Sequence, residues 1–133
     1  MLKVLVVDDE EDVKFLFEQE FFDEIESGLI EMYFAFSGES ALDFLKDVDI
    51  STLKYIITDI SMPGMNGLDL LKIIKEKYPH INVIIITASV NKNNYIAAQK
   101  YGANDYIIKP IDFDYLKDKL INNNTENNNS KLY

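Results

Sequence analysis

The chain has 133 residues, 47% hydrophobic and 27% charged, the length and profile of one soluble domain that can bury a core without a disulfide staple. It contains no cysteine, which excludes disulfides and thiolate metal sites and fits a reducing, cytoplasmic compartment. Against 23 acidic residues stand 13 basic ones, all lysine, for a formal charge of −10. That balance disfavours direct binding to nucleic acid or to an anionic membrane, and it supplies no arginine fork for phosphate.

No apolar run approaches the roughly 20 residues of a membrane span. The stretch before Asp8 is too short for a signal peptide. In chain order, Leu2–Val7 reads as a first strand and Glu11–Glu26 as a first helix. In that helix Val13, Leu16, Phe17, Phe21 and Ile25 recur at three- and four-residue steps and form one apolar stripe. Phe15 and Phe22 point off the stripe and are candidates for a partner surface. Then follow a strand at Met32–Phe36, a helix at Glu39–Lys46 and a strand at Tyr55–Thr58. A helix at Leu68–Lys77 comes next, then a strand at Val83–Thr87, a helix at Asn93–Tyr101, a strand at Tyr106–Ile108 and a helix at Phe113–Ile121. Gly64 and Gly67 punctuate the loop before the third helix, Pro79 follows that helix, and Gly102 stands where a C-cap belongs. His80, the only histidine, reads as an exposed turn residue. Residues 122–133 are Asn-rich with no apolar face, the composition of a disordered tail or linker after a domain spanning 1–121.

Strict alternation of strand and helix, with strands apolar on both faces, predicts an α/β domain. Its architecture is a flavodoxin-like, doubly wound, five-stranded parallel sheet of order 2-1-3-4-5 with helices on both faces. In that order, ligands bind where the strand order reverses, beyond the carboxyl ends of the first and third strands. Asp8, Asp9 and Asp59 occupy those ends. Like charges about 4 Å apart at an effective dielectric near 20 repel by about 4 kcal/mol per pair, so the cluster needs a cation or must hold protons. Hard oxygen donors without His or Cys favour Mg²⁺, with Mn²⁺ as a substitute, over zinc. The dipole of the following helix accounts for Glu10, Glu11 and Asp12, but not for paired acids facing a third. At the ends of the fourth and fifth strands stand Thr87, whose hydroxyl can bond a phosphate oxygen or cap the next helix, and Lys109, a point charge aimed at the acids.

Four segments carry a resemblance: Val6-Val7-Asp8-Asp9-Glu10; Thr58-Asp59-Ile60-Ser61-Met62-Pro63-Gly64-Met65-Asn66-Gly67; Ile86-Thr87-Ala88; and Tyr106-Ile107-Ile108-Lys109-Pro110. In this order they resemble response-regulator receiver domains of the chemotaxis-regulator type, over Leu2 to about Ile121. The resemblance implies that Asp59 is the phosphoacceptor of a two-component phosphorelay, charged by a sensor histidine kinase or a phosphotransfer protein. It implies a metal site of Asp8, Asp9, Asp59 and the Ser61 backbone carbonyl, and phosphoryl contacts from Thr87 and Lys109. It further implies a cis Lys109–Pro110 peptide and a switch in which Tyr106 turns inward as Thr87 moves. The output surface would be the fourth helix, fifth strand and fifth helix, with Tyr95 and Tyr101 either on it or covering the sheet. A phosphorylation-dependent dimer is one output the family uses. Such a domain would be no enzyme beyond its own phosphotransfer and dephosphorylation, and Ser61 stands where the family tunes the lifetime of the acyl phosphate.

Other readings stay open on the sequence. One is a scaffold that keeps the fold without phosphorylation. Another is a receiver excised from a larger cyclase- or phosphatase-linked regulator, which the long Phe21–Tyr33 stretch resembles. A dehalogenase-type phosphatase needs a second acid where Ser61 stands, and a flavodoxin-type carrier would set Asp8–Asp12 against a flavin phosphate.

Overall fold

The computed structural model describes residues 1–122; the expected Asn-rich tail lies outside the described residues from 123 onward, whereas Asn122 closes the last helix. Five parallel strands, β1 (Leu2–Val7), β2 (Ile30–Ala35), β3 (Leu53–Thr58), β4 (Asn82–Thr87) and β5 (Asp105–Ile108), pair in the order 2-1-3-4-5. The helices are α1 (Glu11–Glu20), α2 (Phe22–Glu26), α3 (Gly38–Asp47), α4 (Gly67–Lys77), α5 (Lys92–Lys100) and α6 (Phe113–Asn122). A single 3₁₀ turn at Ile50–Thr52, which hydropathy does not announce, leads into β3.

Alternation along the strands builds a core on each face of the sheet. Leu5, Val7, Ile56, Val83, Ile85 and Tyr106 pack under α3, α4 and α5 with Leu45, Leu70, Leu71, Ile74 and Ala98. Val4, Val6, Tyr55, Ile57, Ile84, Ile86 and Ile107 pack under α1 and α6 with Phe17, Phe21, Leu116 and Leu120. Each central strand therefore buries both of its faces, as its unbroken apolar run requires.

The predicted first helix is two helices. Phe17 and Phe21 stack at 5.9 Å with Phe113 set edge-on to both, and the helix breaks at Phe21, whose φ and ψ are −103° and 19°. Four-residue steps advance about 400°, so Val13, Phe17, Phe21 and Ile25 drift by about 40° each around a straight helix. The break resets that drift and lets Ile25 pack beside Phe21, which is fully buried. Leu16, expected in the stripe, is 41% exposed. Phe15 and Phe22 are exposed, as their off-stripe positions predict.

β5 begins with a buried ion pair that sequence periodicity does not reveal. Asp105 and Lys119 meet at 3.2 Å with both side chains almost wholly buried, and the Asp105 carboxylate also accepts from Tyr106 N–H and from the Tyr115 hydroxyl. Removing one partner of such a pair strands a buried charge. Its place in the fold is to lock α6 onto the strand that leads into Lys109.

Candidate functional site

The parallel ladder runs one residue past β1, β3 and β5, and this aims the functional side chains. Asp8 N–H donates to Ala35, Asp59 N–H to Val7 and Lys109 N–H to Thr87, at 2.9–3.1 Å. With backbone held on that rim, the carboxylates of Asp8, Asp9 and Asp59 lie within 4.8 Å of one another. Asp8 is buried, Asp59 half-buried and Asp9 exposed. The cluster sits at the reversal of strand order between β1 and β3.

One oxygen of each inner carboxylate is already held: Asp8 Oδ1 accepts from Glu10 N–H at 3.0 Å, and Asp59 Oδ1 from Ile60 N–H at 2.7 Å. These bonds fix the planes of the carboxylates. The Oδ2 atoms of both face Lys109 Nζ at 3.5 Å. At that length the contacts are electrostatic rather than tight hydrogen bonds. Burial pushes the Asp8 carboxyl above its ordinary value; Asp59 adds repulsion, and the Glu10 N–H and Lys109 offset only part. For Lys109, burial works to lower the pKa, but the charges of Asp59 and Asp8 outweigh it and hold the ammonium above its ordinary value. One ammonium therefore faces two of the three clustered carboxylates and leaves Asp8 under-neutralised. The donor set is all oxygen, hard and anionic, which fits a small divalent cation held by Asp8, Asp9 and Asp59. Ser61, itself exposed, lies two residues beyond Asp59 in the loop that leads into α4.

Thr87 ends β4 and is buried to 1% exposure. It does not cap the next helix: Asn91 does, accepting from Asn94 N–H at 3.1 Å. Thr87 Oγ1 instead accepts from Ser89 N–H at 3.2 Å, and no hydrogen bond among the described residues joins it to Asp59. Tyr106 points inward at 3% exposure, edge-on to Tyr95 at 5.4 Å. Its hydroxyl is buried without a partner among the described residues, and burial pushes its pKa up. Tyr95 and Tyr106 line a groove of about 720 Å³ between α5 and α6, with Val90, Ile108, Pro110 and Tyr115 on its walls. Tyr101 lies under Lys72 of α4, the ammonium 5.5 Å from the ring centre, and covers the α4 side instead. The Lys109–Pro110 peptide is cis.

Residues 4–121 match the family model of the response regulator receiver domain. The chain belongs to the response regulator receiver domain family. This receiver is 40% identical over 111 residues to the DNA-binding transcriptional regulator NtrC of Proteus hauseri, covering 84% of the chain and 22% of that protein. The chain thus spans about a fifth of the length of that relative. The receiver domain protein of Clostridium thermocellum superposes with a TM-score of 0.81 at 31% identity over the full length of both chains. The Thermotoga maritima response regulator TrrA, solved in complex with Mg²⁺-BeF, superposes with a TM-score of 0.73 at 29% identity, again over the full length of both. The family is that of receivers, not of dehalogenase-type phosphatases or flavodoxin-type carriers.

Two features of the site escape the sequence. Gly67, expected as a turn residue, has an ordinary φ and is needed for contact: a Cβ there would lie 1.9 Å from the Asp59 carbonyl oxygen, while its N–H donates to Ile60 O. Only Gly64 of that loop uses a positive φ, at +74°. The second is Glu39, whose Oε2 accepts from Met65 N–H at 3.1 Å. An acid two residues after an N-cap is too common a pattern to have drawn notice.

Proposed function

We propose that the chain is a phosphorylation-controlled switch in which Asp59 accepts a phosphoryl group from the phosphohistidine of a sensor kinase or phosphotransfer protein. The observation that carries this reading is the cluster of Asp8, Asp9 and Asp59, two of whose carboxylates (Asp8 and Asp59) face the Lys109 ammonium, at the reversal of strand order in a receiver fold.

An Asp59 carboxylate oxygen forms a bond to phosphorus as the phosphorus–nitrogen bond of the donor breaks and the imidazole nitrogen keeps the electron pair. A carboxylate is a weak nucleophile, so the protein contributes position and charge more than covalent chemistry. Ile60 N–H orients the carboxylate. Lys109 offsets charge on the phosphoryl oxygens, and Thr87, by turning its hydroxyl from Ser89 N–H, bonds one of them. Mg²⁺ bound by Asp8, Asp9, Asp59 and the Ser61 carbonyl would neutralise the acids and the incoming phosphoryl charge, with Mn²⁺ able to replace it; the likeness to TrrA supports this. The chain catalyses only its own phosphotransfer and dephosphorylation.

Movement of Thr87 and Lys109 biases the surface of α5, β5 and α6, where Tyr106 and its groove lie. Taking such a surface from mostly off to mostly on requires about 5.5 kcal/mol of differential stabilisation. The output is a partner protein, a linked domain or a second copy of the chain. A cytoplasmic setting is supported by the lack of cysteine. No described helix is long and apolar enough to cross a membrane.

The test is incubation with a small acyl-phosphate donor and Mg²⁺ followed by intact-mass measurement. One added phosphoryl group is expected, absent with chelator and absent in Asp59→Asn. Wild-type protein that gains no mass and binds no Mg²⁺ in a calorimetric titration would sink this reading and leave a phosphorylation-independent scaffold.

A further inference from the structure

The loop from Ser61 to Asn66 is anchored at both ends by contacts that its neighbours in sequence make unavoidable. Met62 enters the core at 8% exposure, and Gly67 presses against the Asp59 carbonyl. The middle of the loop is held from elsewhere. Glu39, in the first turn of α3, reaches across 26 residues of sequence to accept Met65 N–H at 3.1 Å. The fit is close on both sides. A Cβ on Gly64 would stand 2.8 Å from Glu39 Oε2, and a Cβ on Gly38 would stand 2.9 Å from Met65 Sδ. The α3 N-terminus and this loop therefore interlock through two glycines and one carboxylate.

The helix dipole explains an acid in the first turn of α3, with Ser37 already capping it through Ser40 N–H. It does not explain why that acid is turned onto a backbone N–H of another element. The loop it holds carries Ser61, three residues before Gly64 and two after Asp59. We propose that Glu39 is a positioning residue for the metal site: it fixes the loop that carries Ser61, and with it the backbone carbonyl that the reading above gives to the metal. The inference rests on the metal-dependent phosphoacceptor reading above. Outer-sphere groups that hold a ligand in place typically change metal affinity by about 10- to 100-fold when removed, and an exposed bond such as this one belongs near the lower figure.

The test is calorimetric Mg²⁺ titration of the full chain as wild type, Glu39→Ala, Glu39→Gln and Asp43→Asn. Glu39→Ala is expected to weaken Mg²⁺ binding about tenfold. Glu39→Gln keeps an acceptor oxygen of the same reach and should recover most of the loss. Asp43, exposed on the same helix and 3.8 Å from Lys46, removes the same charge without touching the loop, so its variant should bind as wild type does. Wild-type affinity in Glu39→Ala overturns the proposal. An equal loss in all three variants also overturns it, because the effect would then be one of charge. Absence of Mg²⁺ binding in the wild type would strike the functional reading instead.

Discussion

Asp8 is the residue on which the site's electrostatics turn. Its folded pKa is raised, chiefly by burial, above the ordinary carboxylate value of 3.8. The folded state therefore binds that proton more tightly than the unfolded state does. Its contribution to stability is fully present below the unfolded pKa and is lost as pH rises through the folded one. Without metal, the charged form of Asp8 is the one that destabilises the fold. In chelator at pH 7, Asp8→Asn should melt higher than wild type by about 3 °C, roughly what 1 kcal/mol gives a domain of this size. The difference should shrink as the pH is lowered toward 4, and a lower melting temperature for the variant would contradict the account. Lys109 adds no competing slope there, because its raised pKa lies above 10.5 and its contribution fades only in alkali. Gly67 makes the opposite kind of prediction. A methyl 1.9 Å from the Asp59 carbonyl cannot be absorbed by a flexible neighbour, since the obstacle is backbone. Gly67→Ala should cost about 3 kcal/mol, read as a lower urea midpoint. The acids themselves were legible, because residues at the ends of buried strands are located by the hydropathy pattern alone. The role of Gly67 was not, because a close approach depends on what folds back against it.

At the scale of elements, the end of β4 shows how neighbouring residues divide their tasks. Thr87, Ser89 and Asn91 are all able to cap α5, and the structure gives that task to Asn91. Asn91→Ala should lower stability by about 1 kcal/mol in denaturant unfolding. Its phosphorylation in the acyl-phosphate assay should stay at the wild-type level. Thr87 is thereby free of a structural duty in the helix. Strand positions were readable to within a few residues, since a short unbroken apolar run is a local signal. The split of the first helix at Phe21 was not, because it answers to Phe113, 92 positions further along the chain, whose ring meets Phe21 edge-on.

The whole molecule carries a charge of −10, and three of its 23 acids, Asp8, Asp9 and Asp59, meet where a cation would be held. Binding a divalent ion to the folded state alone must raise stability by mass action. At 100 times the dissociation constant, Mg²⁺ should add about 2.7 kcal/mol, and the gain should vanish in Asp59→Asn if that carboxylate is a ligand. Melting curves across a Mg²⁺ series check both statements, with Na⁺ at matched ionic strength as the control for screening.

The sequence by itself determined the alternation of strands and helices, the sheet order and the set of residues on the rim: Asp8, Asp9, Asp59, Thr87 and Lys109. Those follow from patterns a few residues long and from the rule that ligands sit beyond strand ends in open α/β sheets. Tertiary structure alone decided how far Lys109 stands from two carboxylates, which side chain caps α5, why Gly67 must lack a side chain, and that Glu39 grips the loop after the phosphoacceptor. The contacts of Lys109 and Glu39 join segments distant in the chain, and their physical content is a distance that no local pattern encodes; the cap and Gly67 turn on how nearby backbone folds back, which residue types alone leave open.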